Sequence, residues 1–259
     1  MIRQKYDITI DGVSIRSLSP LIRVTNITEN APRIEQELEP HPALAGQLVL
    51  GNYRREFTVQ VGFVLAEIFD LQARAEAIDA VNGWAKAGRL ELSYRPNRML
   101  QVDAVTERPN VAKIKEYTQE YTLSFTAYSF PYWVDVLPIS AAGSGTSGTI
   151  ELRQAGTLPA FLEATITPTG GTLTRFSLAS SGGTSLIVSG CNVAADTPIT
   201  LEYNAQHFQL LHAGSTDLRP YITPASNDHV LILPDAVNTI TFTANVATTF
   251  NLSARGVFA

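Results

Sequence analysis

Three carboxylates, Glu35, Glu37 and Glu39, occupy alternate positions of one extended segment, which places them on one face. Such a row could bind calcium or share acid–base work. Hydrolytic carboxylates, however, need pockets that perturb their pKa values, and this row sits among Pro32, Pro40 and Pro42. A solvated or partner-facing charge row is the better reading. The four histidines, His41, His207, His212 and His229, include no pair at the spacing of a helical zinc site, and the lone Cys191 offers no C-x-x-C. His207 and His212 lie five apart in a strand pattern, on opposite faces. Cys191, between Val188 and Val193, reads as a packed thiol.

Gly143-Ser144-Gly145-Thr146-Ser147-Gly148 matches G-x-G-x-x-G literally. That motif binds a pyrophosphate only where a helix N-terminus follows it. Here the strand-like Thr149-Ile150-Glu151-Leu152 follows, and Pro159 soon after. No G-x-S-x-G elbow is present. Arg54-Arg55 and the Arg95/Arg98 pair are too sparse for a nucleic-acid groove, and the net charge of −5 opposes a dedicated nucleic-acid binder. The residues assemble no catalytic site, cofactor site or metal site, and the expected activity is not enzymatic.

The elements that carry these residues divide the chain in two. Residues 1–137 hold 15 Lys+Arg and 17 Asp+Glu, whereas residues 138–259 hold 4 and 7; Ser+Thr rises from 14 to 29 across the same boundary. The switch falls on a Gly/Ser run, so residues 138–148 read as a linker between a domain at 1–137 and a second at 149–259. No window approaches a membrane span, and the N-terminus lacks the apolar stretch of a signal peptide, so synthesis and retention in the cytoplasm are expected.

In the first domain, Ile8 and Ile10 alternate with polar residues, Asp11-Gly12 supplies a turn, and Val13 and Ile15 continue the pattern. A two-residue loop sets Ile10 opposite Val13 and Ile8 opposite Ile15, all on one face. Residues 29–47, rich in proline and acid, read as a long excursion from the core. Phe57, Val59, Val61 and Phe63 alternate as a strand. Leu71, Ala75, Ile78, Val81 and Ala85 then share one helical face, with Asp70 at the start and Gly88 past the end. A strand over 116–129 follows, with Tyr117, Tyr121, Leu123 and Phe125 on one face, and an aromatic cluster of Tyr128, Phe130, Tyr132 and Trp133 closes the domain. One helix on a mainly antiparallel sandwich or barrel is expected. The second domain shows short strand patterns at 161–166, 173–178, 185–188, 199–203, 208–211, 230–233, 240–244 and 250–254, separated by turn residues, which implies a β-sandwich or jelly roll.

The order of these features resembles the distal tail protein (Dit) family of siphophages. The matching segments are the short hairpin and the Pro-rich belt ending near Gly46, then Arg54-Arg55-Glu56-Phe57-Thr58-Val59-Gln60-Val61, the helix end Ile78-Asp79-Ala80-Val81-Asn82-Gly83-Trp84-Ala85-Lys86-Ala87-Gly88, and Arg89-Leu90-Glu91-Leu92. Pro96, Leu100-Gln101-Val102-Asp103-Ala104-Val105 and the closing Phe125 to Trp133 continue it. In the second domain, Pro159-Ala160-Phe161, Ile199-Thr200-Leu201-Glu202-Tyr203 and Ala254-Arg255-Gly256-Val257-Phe258 stand where the family has similar segments.

The resemblance implies a tail-tube-like first domain with one helix and a peripheral galectin-like β-sandwich second domain. It also implies a homo-hexameric ring at the virion tail tip, assembled in the host bacterial cytoplasm. That ring would join the tail tube protein to the tail hub protein, let DNA pass without specific binding, and possess a second domain open to receptor-binding or side-fibre proteins. The subunit interface would draw on Pro32, Ile34, Glu35, Glu37, Glu39, Pro40, Pro42, Tyr117 and Tyr121, with the belt clasping a neighbour. Two alternatives stand beside it. A tail tube protein shares the sandwich-plus-helix core but would polymerise openly, and the second domain and belt tell against it. A carbohydrate-binding module would use a Trp platform, yet both Trp84 and Trp133 precede residue 138.

Overall fold

The computed structural model describes residues 6–30, 34–40, 47–66, 70–109, 120–203, 209–227 and 229–259. The chain forms two compact units, residues 1–133 and 134–259. Both are built of β-strands, and the described residues contain a single α-helix.

In the first unit the strands are β1 (Ile8–Ile10), β2 (Val13–Ser14), β3 (Ile22–Asn30), β4 (Ile34–Pro40), β5 (Gln47–Arg54) and β6 (Phe57–Leu65). After helix α1 (Leu71–Trp84) come β7 (Gly88–Leu92), β8 (Arg98–Val102), β9 (Ala104–Glu107) and β10 (Glu120–Ala127), with β11 (Trp133–Asp135) at the boundary. Strands β2-β1-β7-β8 are hydrogen-bonded in that order, and β3-β6-β10-β9 form a separate sheet. The core is the alternate face of β6, Phe57, Val59, Val61 and Phe63, with Tyr121, Leu123 and Phe125 from β10. Their alternation is what a half-buried strand requires.

The Asp11-Gly12 turn forms as the sequence predicts. Ile10 faces Val13 across it, and both turn residues have positive φ (49° and 80°), the geometry of a type I′ hairpin. Two details differ. The strand ends at Ser14, because Ile15 begins a short 3₁₀ turn capped by the Ser14 hydroxyl, so Ile8 and Ile15 are both buried but do not pair with each other. Val13 is 47% exposed; its carbonyl instead accepts the Trp84 indole N–H at 2.9 Å.

Helix α1 begins where Asp70 predicts, its carboxylate accepting the Ala73 N–H at 3.0 Å as an N-cap. Its buried stripe is Arg74, Ala77, Ile78, Val81 and Trp84, continued by Ala85, while Leu71 is 55% exposed. The face is rotated from the one expected because the bulk of Trp84, packed edge-on against Phe125, must be covered. Gly88 lies past the end of the helix, as expected, but does not cap it. The last turn closes on Ala85, and Gly88 opens β7 beside Asp11, where a Cβ would lie 2.8 Å from the carboxylate.

Strand β10 ends two residues before the expected 129. It stops at Ala127 because the backbone N–H groups of Tyr128 and Ser129 turn to the Asp103 carboxylate, at 2.7 and 2.8 Å, instead of continuing the ladder. Positions 116–119 lie outside the described residues.

The second unit contains β12 (Ile139–Arg153), β13 (Ala160–Phe161), β14 (Glu163–Pro168), β15 (Leu173–Ser180), β16 (Ser185–Val193) and β17 (Ile199–Tyr203). It continues with β18 (Gln209–Ala213), β19 (Thr216–Asp217), β20 (Leu231–Ile232), β21 (Val237–Ala254) and β22 (Val257–Phe258). The main sheet runs β16-β15-β21-β14-β17-β18-β19, with β12 also on β21. Strand β21 serves two halves of this sheet: residues 240–244 pair with β15 and residues 248–253 pair with β14. It also bends. Phe242 and Phe250 are eight residues apart, about 27 Å in a straight strand, yet their rings lie 4.4 Å apart.

Residues 138–148 are therefore not a linker. Residues 139–148 belong to β12, which follows β21 around the bend with a register shift between Gly145 and Ser147. Two of its glycines are there for packing. A Cβ on Gly143 would meet Ile150 at 2.9 Å, and one on Gly148 would meet the Phe242 ring at 2.7 Å. Composition alone cannot distinguish a flexible joint from a strand that must turn tightly over an aromatic pair.

Candidate functional site

Strands β4 and β5 form a two-stranded sheet of their own, pairing with each other and with no other described strand. Ile34 stands opposite Arg54, Glu35 opposite Tyr53, Glu37 opposite Gly51, Glu39 opposite Leu48 and Pro40 opposite Gln47. Over its described residues, the excursion expected at 29–47 is thus one strand of a hairpin arm, paired with β5. Proline permits this because Pro40 is the last residue of its strand, where no further ladder bond is needed. The predicted carboxylates do occupy alternate positions of one strand. Glu35 is held by Arg55 at 2.6 Å. At the arm's base, the Arg54 guanidinium lies 5.1 Å from the Tyr132 ring centroid.

Pro32, Pro42 and Tyr117 lie outside the described residues. Tyr121 is 3% exposed and stacks on Phe63 at 5.4 Å, so its ring belongs to the core of its own unit. The structure thus gathers Ile34, Glu35, Glu37, Glu39 and Pro40 on the arm and sets Tyr121 apart from them.

A polar knot near the arm was not legible beforehand. Glu29, near the end of β3, accepts hydrogen bonds from the Tyr94 hydroxyl (2.9 Å), Arg95 Nε (2.8 Å) and the Trp133 indole (3.0 Å). Arg95 also lies over the Trp133 ring at 5.2 Å. Burial, then the Glu29 carboxylate, pushes the Tyr94 hydroxyl above its ordinary range. Trp133 of the expected aromatic cluster is buried here, whereas Tyr128 is exposed.

In the second unit an open groove of about 320 Å³ runs over the solvent face of the sheet. Glu163 on β14 and Glu202 on β17 line it, together with Ser140, Thr165, Asn251 and Ser253. The register that pairs Ala164 with Leu201 brings the two glutamates opposite one another. Burial raises the Glu163 pKa; Arg255 opposes that rise and Glu202 adds to it. Beside the groove, Phe161, Tyr203 and His229 form an aromatic cluster with centroids 4.6 to 5.3 Å apart. Two glutamates without a third ligand suit repulsion better than metal binding, and no group of three potential metal ligands occurs among the described residues. His212 lies on β18 opposite Asp217, and His41 and His207 lie outside the described residues. Cys191 is buried, and burial raises its thiol pKa. The glycine motif at 143–148 is strand, with no helix behind it. Among the described residues, no helix is long and apolar enough to cross a membrane.

A mainly β chain with one helix among its described residues, a hairpin arm and a second β unit defines a class of fold, and a solved structure shares it. The Dit protein (gp 19.1) of phage SPP1, described as a paradigm of hub adsorption apparatus in Gram-positive infecting phages, is 12% identical. It matches 96% of this chain and 98% of its own, with a TM-score of 0.66. Chains of the phage p2 baseplate in its activated conformation, with strontium and with calcium, are 9% and 10% identical with TM-scores of 0.48 and 0.49. They match 96% and 99% of this chain, and 97% and 98% of their own. The SPP1 comparison carries the fold: the chain has a Dit-like fold over nearly its whole length. No protein-family model matches the chain, and no curated protein does.

Proposed function

We propose that this chain is a structural, non-enzymatic protein of a phage tail tip, in which six copies close a ring between the tail tube and the tail hub. The correspondence of both units to SPP1 Dit, over 96% of this chain, carries this reading. The arm supplies a physical reason for assembly. A hairpin paired only with itself among the described residues leaves two strand edges to be covered, and a ring of identical copies covers them by repeating one head-to-tail contact until it closes. Ile34, Glu35, Glu37, Glu39 and Pro40 would lie in that contact, and the sequence pattern adds Pro32, Pro42 and Tyr117 to it. Tyr121, already packed on Phe63, has no part in it. The net charge of −5 suits a lumen that DNA crosses without being held. The second unit, a β-fold rich in exposed polar residues, is the part available to receptor-binding or side-fibre proteins.

Native mass spectrometry or light scattering tests the ring. The expected result is a discrete, closed species built on six chains of 28.1 kDa each. An open-ended polymer would favour the tail tube reading, and a single-chain species persisting at high concentration would sink the ring.

A further inference from the structure

From Ile139 to Gly145, strand β12 pairs with β21 in unbroken register, Ile139 with Ala254 through Gly145 with Thr248. On its other side β21 takes β14 here, so β12 is the edge, and no described strand pairs with its far side. Edge strands are normally guarded by lysine, proline, charge or brevity. This one is 15 residues long, and residues 139–150 contain neither a charge nor a proline. Ser140, Ala142 and Ser144 are exposed on one face, and Ile139, Ala141 and Gly143 are half-buried on the other.

The segment is also nearly palindromic about Ala142. Laid antiparallel against its own copy, with Ala142 opposite Ala142, it sets Ser140 opposite Ser144, Ala141 opposite Gly143 and Ile139 opposite Gly145. Serine faces serine on the solvent side, which suits cross-strand hydrogen bonding. On the inner side the one large residue faces a glycine. No like charges meet anywhere in the pairing.

We propose that the β12 edge over residues 139–145 is a self-pairing surface, which joins two copies of this chain by antiparallel strand addition about a two-fold axis at Ala142. The proposal is independent of the six-fold ring, since a two-fold contact of this kind links copies in pairs whether or not they also close a ring. The seven-residue span ends where the register of β12 shifts at Gly145.

The test uses the full chain with Ala142→Cys. Directly opposed residues in an antiparallel pair have Cα atoms about 4.5–5.5 Å apart, within the disulfide range of about 4.4–6.8 Å. Cys191 is buried and contributes no background. Under copper-phenanthroline oxidation most of the A142C chains should run as a covalent dimer on a non-reducing gel. T174C, an exposed position away from this edge, should give at least fivefold less. In parallel, Ala142→Lys sets two ammonium groups face to face and should remove from native mass spectra the species larger than one ring, or the two-chain species where no ring forms, with circular dichroism unchanged. Cross-linking of A142C no greater than that of T174C overturns the proposal, even if six-chain rings are present. Strong A142C cross-linking without any six-chain species upholds it while the ring reading fails.

Discussion

Glu29 and Glu163 show how differently one residue type behaves in two surroundings. Glu29 accepts three hydrogen bonds from three side chains distant in sequence, so its removal strands the Trp133 indole and Arg95 together. Glu29→Ala should destabilise the first unit by about 2 kcal/mol, the cost of leaving partly buried donors unsatisfied. Guanidinium titration read by tryptophan fluorescence would reveal it as an earlier transition, and an unchanged midpoint would show the knot to be ornamental. Glu163 is the opposite case. Burial raises its pKa, so folding prefers its neutral form. That preference contributes fully below the unfolded value of about 4.3, and it is lost as pH rises through the folded value. Glu163→Gln should therefore raise the melting temperature at pH 7, and the advantage should shrink towards pH 4. A gain that is the same at both pH values would mean that the carboxyl is not desolvated in solution.

Among elements, the two glycine positions separate conformational cost from steric cost. Gly12 has φ +80° and open space for 4 Å around the place a Cβ would take, so Gly12→Ala should cost about 1 kcal/mol through backbone conformation alone. Gly148 has no such φ, but a Cβ would sit 2.7 Å from the Phe242 ring where β12 rounds its bend. Gly148→Val should cost about 1–3 kcal/mol by overpacking. Trimming the opposed ring with Phe242→Leu should restore part of the loss in a double-mutant cycle, whereas no such rescue applies to Gly12. Additive effects at Gly148 and Phe242 would dismiss the close approach as the reason for glycine.

For the molecule as a whole, the arm is the element whose removal should separate folding from assembly. Since β4 and β5 pair only with each other among the described strands, replacing residues 34–54 with a short Gly/Ser link should leave the melting of both units close to that of the intact chain. The same deletion should abolish the six-chain species. Loss of folding along with assembly would show that the arm is part of the first unit's core.

Local pattern was enough for features whose physics is local. The type I′ turn follows from Asp-Gly between alternating apolar residues, the helix start from Asp70, and β6 from strict alternation of Phe57, Val59, Val61 and Phe63. The row Glu35, Glu37, Glu39 was also visible, because it depends only on period two. Tertiary structure decided the rest. A Gly/Ser run reads identically as a joint or as a strand bending over Phe242 and Phe250, and only the rings 4.4 Å apart distinguish them. The helix face turned towards Trp84 because a large ring outweighs an aliphatic at the first turn. Tyr121 was absorbed by the core, and Glu29 met partners 65 to 104 positions away. Sequence encodes periodicity and turn chemistry within a few residues; which faces are finally covered, and by what, is settled by contacts between segments far apart in the chain.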